Sequence, residues 1–341
     1  MPRNFSKTLS ILLKILFAVG VFYWMVHSGK LNLPVVGRAF RDQWPLAIFL
    51  LGTLYLQIAI ISWRWNLLNG ALGFGIRYRE AFSLSMIGML FTVVIPGSVG
   101  GDVIKAYYVG TRVPNRRAHA FTTILMDRYL GLLSLLTLGA LGVAWNYHEI
   151  LANKVMTTLA TFVVVAFLGG CLSLTAAVLF STQVAGLLRK LQGRVPLVNH
   201  AVKSCEALEA FRANPGVLAI GVLMSLPSHL IACLGMRVAM GMVGAGDMPL
   251  ERFLLIVPLG LISTVIPLSP GGVGIGQAAF YGLCESLAKG SGNAASNAFT
   301  VYQTLQVAVY LSGFIPYLSH KGGSHNGGPH VPSPQQAEVV V

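Results

Sequence analysis

The sequence predicts an all-α integral membrane protein, and three observations predict it. Of 341 residues, 55% are hydrophobic and only 10% are charged, with a mean hydropathy of +0.69; a soluble domain carries about 25% charged residues. Apolar runs near the roughly 20 residues that cross a bilayer recur along the chain. Two further apolar segments are broken by Pro and Gly at matching places. Together these predict about six full transmembrane helices plus two Pro/Gly-broken re-entrant helical hairpins, eight membrane segments in an inverted repeat.

The formal charge of +13 does not point to nucleic acid. The Lys and Arg residues sit in short loops between apolar runs and make no basic face, which is the ordinary pattern of membrane loops. Cys171, Cys205, Cys233 and Cys284 form no CxxC pair and read as small core hydrophobes. His320, His325 and His330 stand in a Gly-rich tail that would not order a metal site. No metal or cofactor is expected.

Taken in order, residues 8–28 form the first apolar run, preceded by Arg3 and Lys7. Its length and Lys14 within it favour an uncleaved anchor over a signal peptide. Full spans follow at about 45–69, 118–145, 155–182, 215–243 and 294–318. Residues 80–110 and 250–286 fit poorly as simple spans. Pro96-Gly97-Ser98-Val99-Gly100-Gly101 breaks the first, and Pro267-Leu268-Ser269-Pro270-Gly271-Gly272 breaks the second. Between the halves, Val198, Val202, Cys205, Leu208 and Phe211 keep helical spacing, predicting an amphipathic surface helix within about 183–214. Residues 1–318 thus form a membrane domain, with one repeat at about 45–145 and the other at about 215–318. Residues 319–341 are expected to be a disordered cytoplasmic tail.

A shift of 171 residues aligns 80–104 with 251–275 without a gap, and 11 of the 25 positions are identical. Aliphatic matches are cheap in so apolar a chain. Matches of Glu80 with Glu251, Pro96 with Pro267, Ser98 with Ser269, and Gly100-Gly101 with Gly271-Gly272 are not. Backbone groups freed at such breaks cannot face lipid. Arms of about 16–25 Å are short for a core of about 30 Å, so each segment reads as a re-entrant hairpin; a pair of short kinked spans is the alternative. If both hairpins re-enter, one side holds 13 loop Lys or Arg and the other 6. The positive-inside rule then puts both termini in the cytoplasm and inverts one repeat relative to the other.

Intramembrane polar groups are the functional candidates. A Gly-rich turn opening a helix leaves unpaired N–H groups at the positive end of the dipole, which suits an anion such as a lipid phosphate. This nominates Pro96, Gly100, Gly101, Asp102 and Lys105 in one hairpin and Pro267, Gly271, Gly272 and Gln277 in the other. Equally, the glycines could serve only close helix packing, and Asp102 could be an N-cap. Asp127 and Arg128, well inside a span, read either as charges neutralised by other helices or as a headgroup or proton site. Arg64 between Trp63 and Trp65 suits snorkelling as well as phosphate binding. Glu80 and Glu251, equivalent in the repeats, suggest a shared structural or gating role. His229 and Arg237 read as packing or snorkelling residues.

Trp63-Arg64-Trp65 with Leu67-Leu68, then Pro96 to Asp102, Asp127-Arg128-Tyr129, and Pro267 to Gly274 occur in this order. That set resembles the lysylphosphatidylglycerol synthase transmembrane region family, also called flippase-like domain proteins, over about residues 8–318. In the multiple peptide resistance factor such a domain is fused to a soluble aminoacyl transferase, for which these 341 residues leave no room. The family pattern carries Glu where Asp127 stands and Arg near Gln306.

The resemblance implies a bacterial inner (plasma) membrane protein, not an enzyme, that translocates an anionic or modified lipid: a phospholipid, glycolipid or polyprenyl-linked lipid. The alternative it leaves is a non-transporting accessory protein that presents lipid to a glycosyltransferase or other lipid-modifying enzyme.

Overall fold

A computed structural model describes residues 23, 27, 33–94, 100–151, 154–191, 196–245, 248–265 and 274–319, and these are helical with short connections. Nearly all of the first predicted span, the hairpin tips and nearly all of the predicted tail lie outside the described residues.

Helix α1 (Leu33–Ala71) bends at Gln43, just before Pro45, where Pro cannot continue the hydrogen-bond ladder. Helices α2 (Tyr78–Val94) and α3 (Gly100–Arg112) pack against each other as the arms of one hairpin. A 3₁₀ turn at Pro114–Arg116 leads into α4 (Arg117–Trp145), followed by short α5 (Tyr147–Leu151) and long α6 (Lys154–Leu179). Next come α7 (Ser181–Arg189), α8 (Pro196–Ala213) and α9 (Pro215–Met242). Helices α10 (Leu250–Val265) and α11 (Ile275–Leu287) are the arms of the second hairpin. Helices α12 (Gly292–Leu311) and α13 (Phe314–Ser319) are the last of the described residues.

Among the described residues, five stretches are long and apolar enough to cross a membrane: Arg41–Ala71, Pro114–Trp145, Lys154–Leu179, Pro215–Met242 and Gly292–Ser319. The hairpin arms are shorter, at 17, 13, 16 and 13 residues, or about 20–25 Å of helix.

The 171-residue shift extends well beyond the matching sequence. It carries α9 onto residues 44–71 of α1, α10 onto α2, and α12 into α4. The packing repeats in the same way. Helices α1 and α9 lie against each other at the centre, α10 packs on α4, and α2 packs on α12 and α13. Each hairpin therefore leans on the last helix of the other half. Glycines make both approaches possible. A methyl at Gly142 on α4 would collide with the Leu254 backbone of α10, and one at Gly313 would collide with the Met86 carbonyl of α2. Gly142 and Gly313 are themselves 171 residues apart.

The main core joins both halves, with Leu50, Leu54, Met236, Met240, Phe253, Phe280 and Phe299 among its buried members. Helix α6 buries little, and its Phe162, Val165, Leu168 and Leu172 face outward, as expected of a helix surrounded by lipid.

The predicted surface helix at 183–214 is two helices. The apolar stripe of α8, including Val202 and Phe211, is buried, and Phe211 lies in the company of Leu68, Met126, Leu130 and Val178 from α1, α4 and α6. The predicted spacing is therefore present, but it packs on protein. On α7, Val184 and Leu187 are exposed instead. An Arg189–Glu206 pair and an Arg212–Thr182 hydrogen bond hold α7 to α8.

Candidate lipid headgroup site

Five charged side chains from three helices converge in the first half. Arg64 projects from α1, Asp102 and Lys105 from α3, and Asp127 and Arg128 from α4. Arg64 is buried. Its Nε donates to Asp127 Oδ1 at 2.7 Å, and its Nη1 donates to Ser225 Oγ on α9 at 2.5 Å. Gly131 makes room for the guanidinium: a methyl there would lie 3.0 Å from Nη1. Arg64 thus ties three spans together and does not snorkel. Its aromatic neighbours part ways, since Trp63 is exposed and Trp65 is fully buried.

Asp102 lies in the first turn of α3, inside a helix already begun by Gly100, so it is not the N-cap; its carboxylate pairs with Arg128. One turn on, Lys105 is buried, with its ammonium 3.9 Å from the centroid of the Trp65 ring. That cation–π contact offsets part of the cost of removing the ammonium from water. Lys105 also lies within electrostatic reach of Asp127, Asp102, Arg64 and Arg128. Trp65 is held in turn by Nε1 donation to Thr123 Oγ1 at 3.4 Å.

Asp127 and Arg128 are neighbours in sequence but are not each other's partners. One neutralises Arg64 and the other neutralises Asp102. Three cations and two carboxylates leave the cluster one positive charge in surplus. Its surplus suits a single anionic group, and a site walled by apolar helices strengthens that attraction.

Among its described residues, the second half has no such cluster. The 171-residue shift carries Arg64, Asp102, Lys105, Asp127 and Arg128 to Gly235, Val273, Gly276, Ala298 and Phe299. A neutral network stands there instead. Gly274, with φ of +86°, precedes α11 in a conformation glycine adopts freely, and its N–H donates to Gln277 Oε1 at 2.7 Å. Gln277 Nε2 donates to Gln303 Oε1 on α12 at 3.0 Å. Gln57 on α1 and Tyr302 on α12 meet at 3.2 Å.

Among the other nominated residues, Pro96, Pro267, Gly271 and Gly272 lie outside the described residues. Gly101 is not open to a ligand, because a methyl there would run into the Gly88 carbonyl and Thr92. It seals the two arms of the hairpin, the packing alternative raised above. Glu80 pairs with Arg112 and clamps the outer ends of that hairpin. At the matching end of the second hairpin, the Glu251 carbonyl accepts from Asn146, while neighbouring Arg252 pairs with Glu149. His229 meets the Gly131 carbonyl at 3.0 Å. A cleft of about 400 Å³ lined by Met248, Arg252, Lys289 and Ser291 holds none of the nominated lipid-binding residues. Among the described residues there is no cluster of three or more potential metal ligands.

The family model for the lysylphosphatidylglycerol synthase TM region matches residues 11–313. The chain belongs to this family. A UPF0104 membrane protein of Methanothermobacter thermautotrophicus is 22% identical over 253 residues, covering 69% of this chain and 74% of the relative. No solved structure matches. The family match covers both hairpins and the five-residue cluster, so the site belongs to the family's own membrane region.

Sequence reading missed Trp65 as the platform for Lys105, although it had the Trp-Arg-Trp run in hand. It also missed Ser225 and Gln303. A lone Ser and a Gln in apolar runs carry no local signal; only the fold brings them to Arg64 and Gln277.

Proposed function

We propose that this protein is a lipid translocator of the inner membrane, with both termini in the cytoplasm. It binds an anionic headgroup at the five-residue cluster and passes it between leaflets, without performing chemistry on it. The cluster carries this reading. Five intramembrane charges are costly, and complete mutual neutralisation would have been the cheaper arrangement. The surplus sits on Lys105, where the Trp65 ring offsets part of the cost of burying the ammonium. Asp102 and Lys105 stand on a hairpin arm, so their distance from Arg64 and Asp127 can change if the hairpin moves.

An inverted repeat supports the motion. Successive spans alternate in direction, and a hairpin adds either no crossing or two. Counted over the five candidate spans, α1 and α9 are first and fourth, and α4 and α12 are second and fifth. Each equivalent pair then runs in opposite directions. With short arms re-entering from opposite sides, exchanging the conformations of the halves exchanges inward for outward access. Since the cluster occurs in one half only, a single headgroup site faces each side in turn.

Leaflet-to-leaflet movement of a labelled anionic lipid in vesicles carrying the purified protein tests the proposal. Movement above that in empty vesicles is expected. Retention of lipid without movement would instead make the protein a presenter for a membrane glycosyltransferase or other lipid-modifying enzyme.

A further inference from the structure

We infer that the headgroup carried is singly anionic and otherwise uncharged and hydroxyl-rich, and that it moves along an uncharged polar face of α12 that leads to Arg128. This rests on the translocator reading above and names the class of lipid.

The face is made of Ser296, Thr300, Gln303, Gln306 and Tyr310. Their spacings of four, three, three and four keep them on one side of the helix. They make the stretch Gly292–Ser319 the least apolar of the five candidate spans, and so the costliest to insert. No Asp, Glu, Lys or Arg occurs anywhere in α12. At one end, Gln303 joins Gln277 of the second hairpin. At the other, Tyr310 is hydrogen-bonded to Gln306 and lies within electrostatic reach of Arg128. Amides and hydroxyls therefore run from one hairpin toward the charge cluster of the other.

The charge balance then selects the lipid. One surplus positive charge matches one phosphodiester. Amides and hydroxyls both donate and accept hydrogen bonds, as sugar and polyol hydroxyls require. An aminoacylated headgroup needs a carboxylate for its ammonium group. Around the cluster, Asp127 is committed to Arg64, Asp102 to Arg128 and Glu80 to Arg112, and the α12 face has none. An ammonium moved along that face would lose its water without gaining an ion pair.

The test uses the full chain in phosphatidylcholine vesicles with trace NBD-labelled phosphatidylglycerol, phosphatidylinositol or lysyl-phosphatidylglycerol, scored by dithionite accessibility. Phosphatidylglycerol and phosphatidylinositol should move about tenfold faster than the lysyl lipid, the factor set by about 1.4 kcal/mol. Gln306→Glu, at a partly exposed position, should shift that ratio by about tenfold toward the lysyl lipid. Equal or faster lysyl movement, or a ratio unmoved by Gln306→Glu, overturns the headgroup class while leaving translocation standing. If nothing moves, the translocator reading fails, and native mass spectrometry of the detergent-purified protein decides the headgroup class. Preferential retention of the two singly anionic lipids keeps it; indifference among the three overturns it.

Discussion

Arg64 and Asp127 allow a worked test of the buried cluster. Their side chains are only 6% and 7% exposed, with N and O at 2.7 Å. At an effective dielectric of about 20, the gross attraction at that distance is about 6 kcal/mol. Removing both charges from water costs several kcal/mol per ion, so the pair contributes little net stability, whereas stranding one charge costs about 3–5 kcal/mol. The neighbours set the order of the variants. With Arg64→Met, Asp127 is left unpaired, but Lys105 and Arg128 are near enough to compensate in part, and the cluster's net charge becomes zero. With Asp127→Leu, three cations face one carboxylate, and the net charge rises to +2. The double variant restores +1. Fraction folded after heating in detergent, read by fluorescence-detected size exclusion, should fall most for Asp127→Leu, less for Arg64→Met, and least for the double. If the double is as unstable as Asp127→Leu, the damage is not a stranded charge and the ion-pair reasoning is refuted.

Two further outcomes follow from the repeat. Single cysteines at the exposed positions Asn115 and Lys289, in a background lacking Cys171, Cys205, Cys233 and Cys284, should react with a membrane-impermeant maleimide from opposite faces; reaction from one face would remove the inverted arrangement. Gly142→Leu and Gly313→Leu should each lose at least about 1–3 kcal/mol of stability through overpacking, whereas Gly216→Leu, with nothing within 4 Å of its added carbon, should behave as wild type in the same heating assay.

Much of the architecture was legible because its signals are local. The two hairpins announce themselves through Pro and Gly in fixed register with Glu80 and Glu251, and the arms form where those breaks require. The glycine contacts of the repeat were not legible. Outside 80–104 the sequence match has largely decayed into interchangeable aliphatics, apart from the glycine pairs Gly70/Gly241, Gly73/Gly244, Gly75/Gly246 and Gly142/Gly313, of which Gly142 and Gly313 touch backbone across the halves. The pairing of charges was also hidden. Arg64 and Asp127 are 63 residues apart, and adjacency made Asp127 and Arg128 look like a unit although successive residues on a helix point about 100° apart. Likewise, the apolar spacing of α8 reads the same whether it meets lipid or, as here, the ends of α1, α4 and α6. Gly101 exposes the opposite ambiguity. A glycine that lets a phosphate approach and one that lets a second helix approach have the same letter, and only the Gly88 carbonyl beside it decides.

The claim that the cluster's surplus charge holds the travelling headgroup is tested most directly by transport through Lys105→Met. Methionine keeps the unbranched apolar stem beside Trp65 and removes only the ammonium. A hydrogen bond to a charged group contributes about 1.5–3 kcal/mol, so the initial rate of phosphatidylglycerol movement at subsaturating lipid should fall about tenfold or more. Heat stability should stay at or above wild type, because a buried charge without a carboxylate partner has been removed. A Lys105→Met protein that moves the lipid at the wild-type rate would contradict the account.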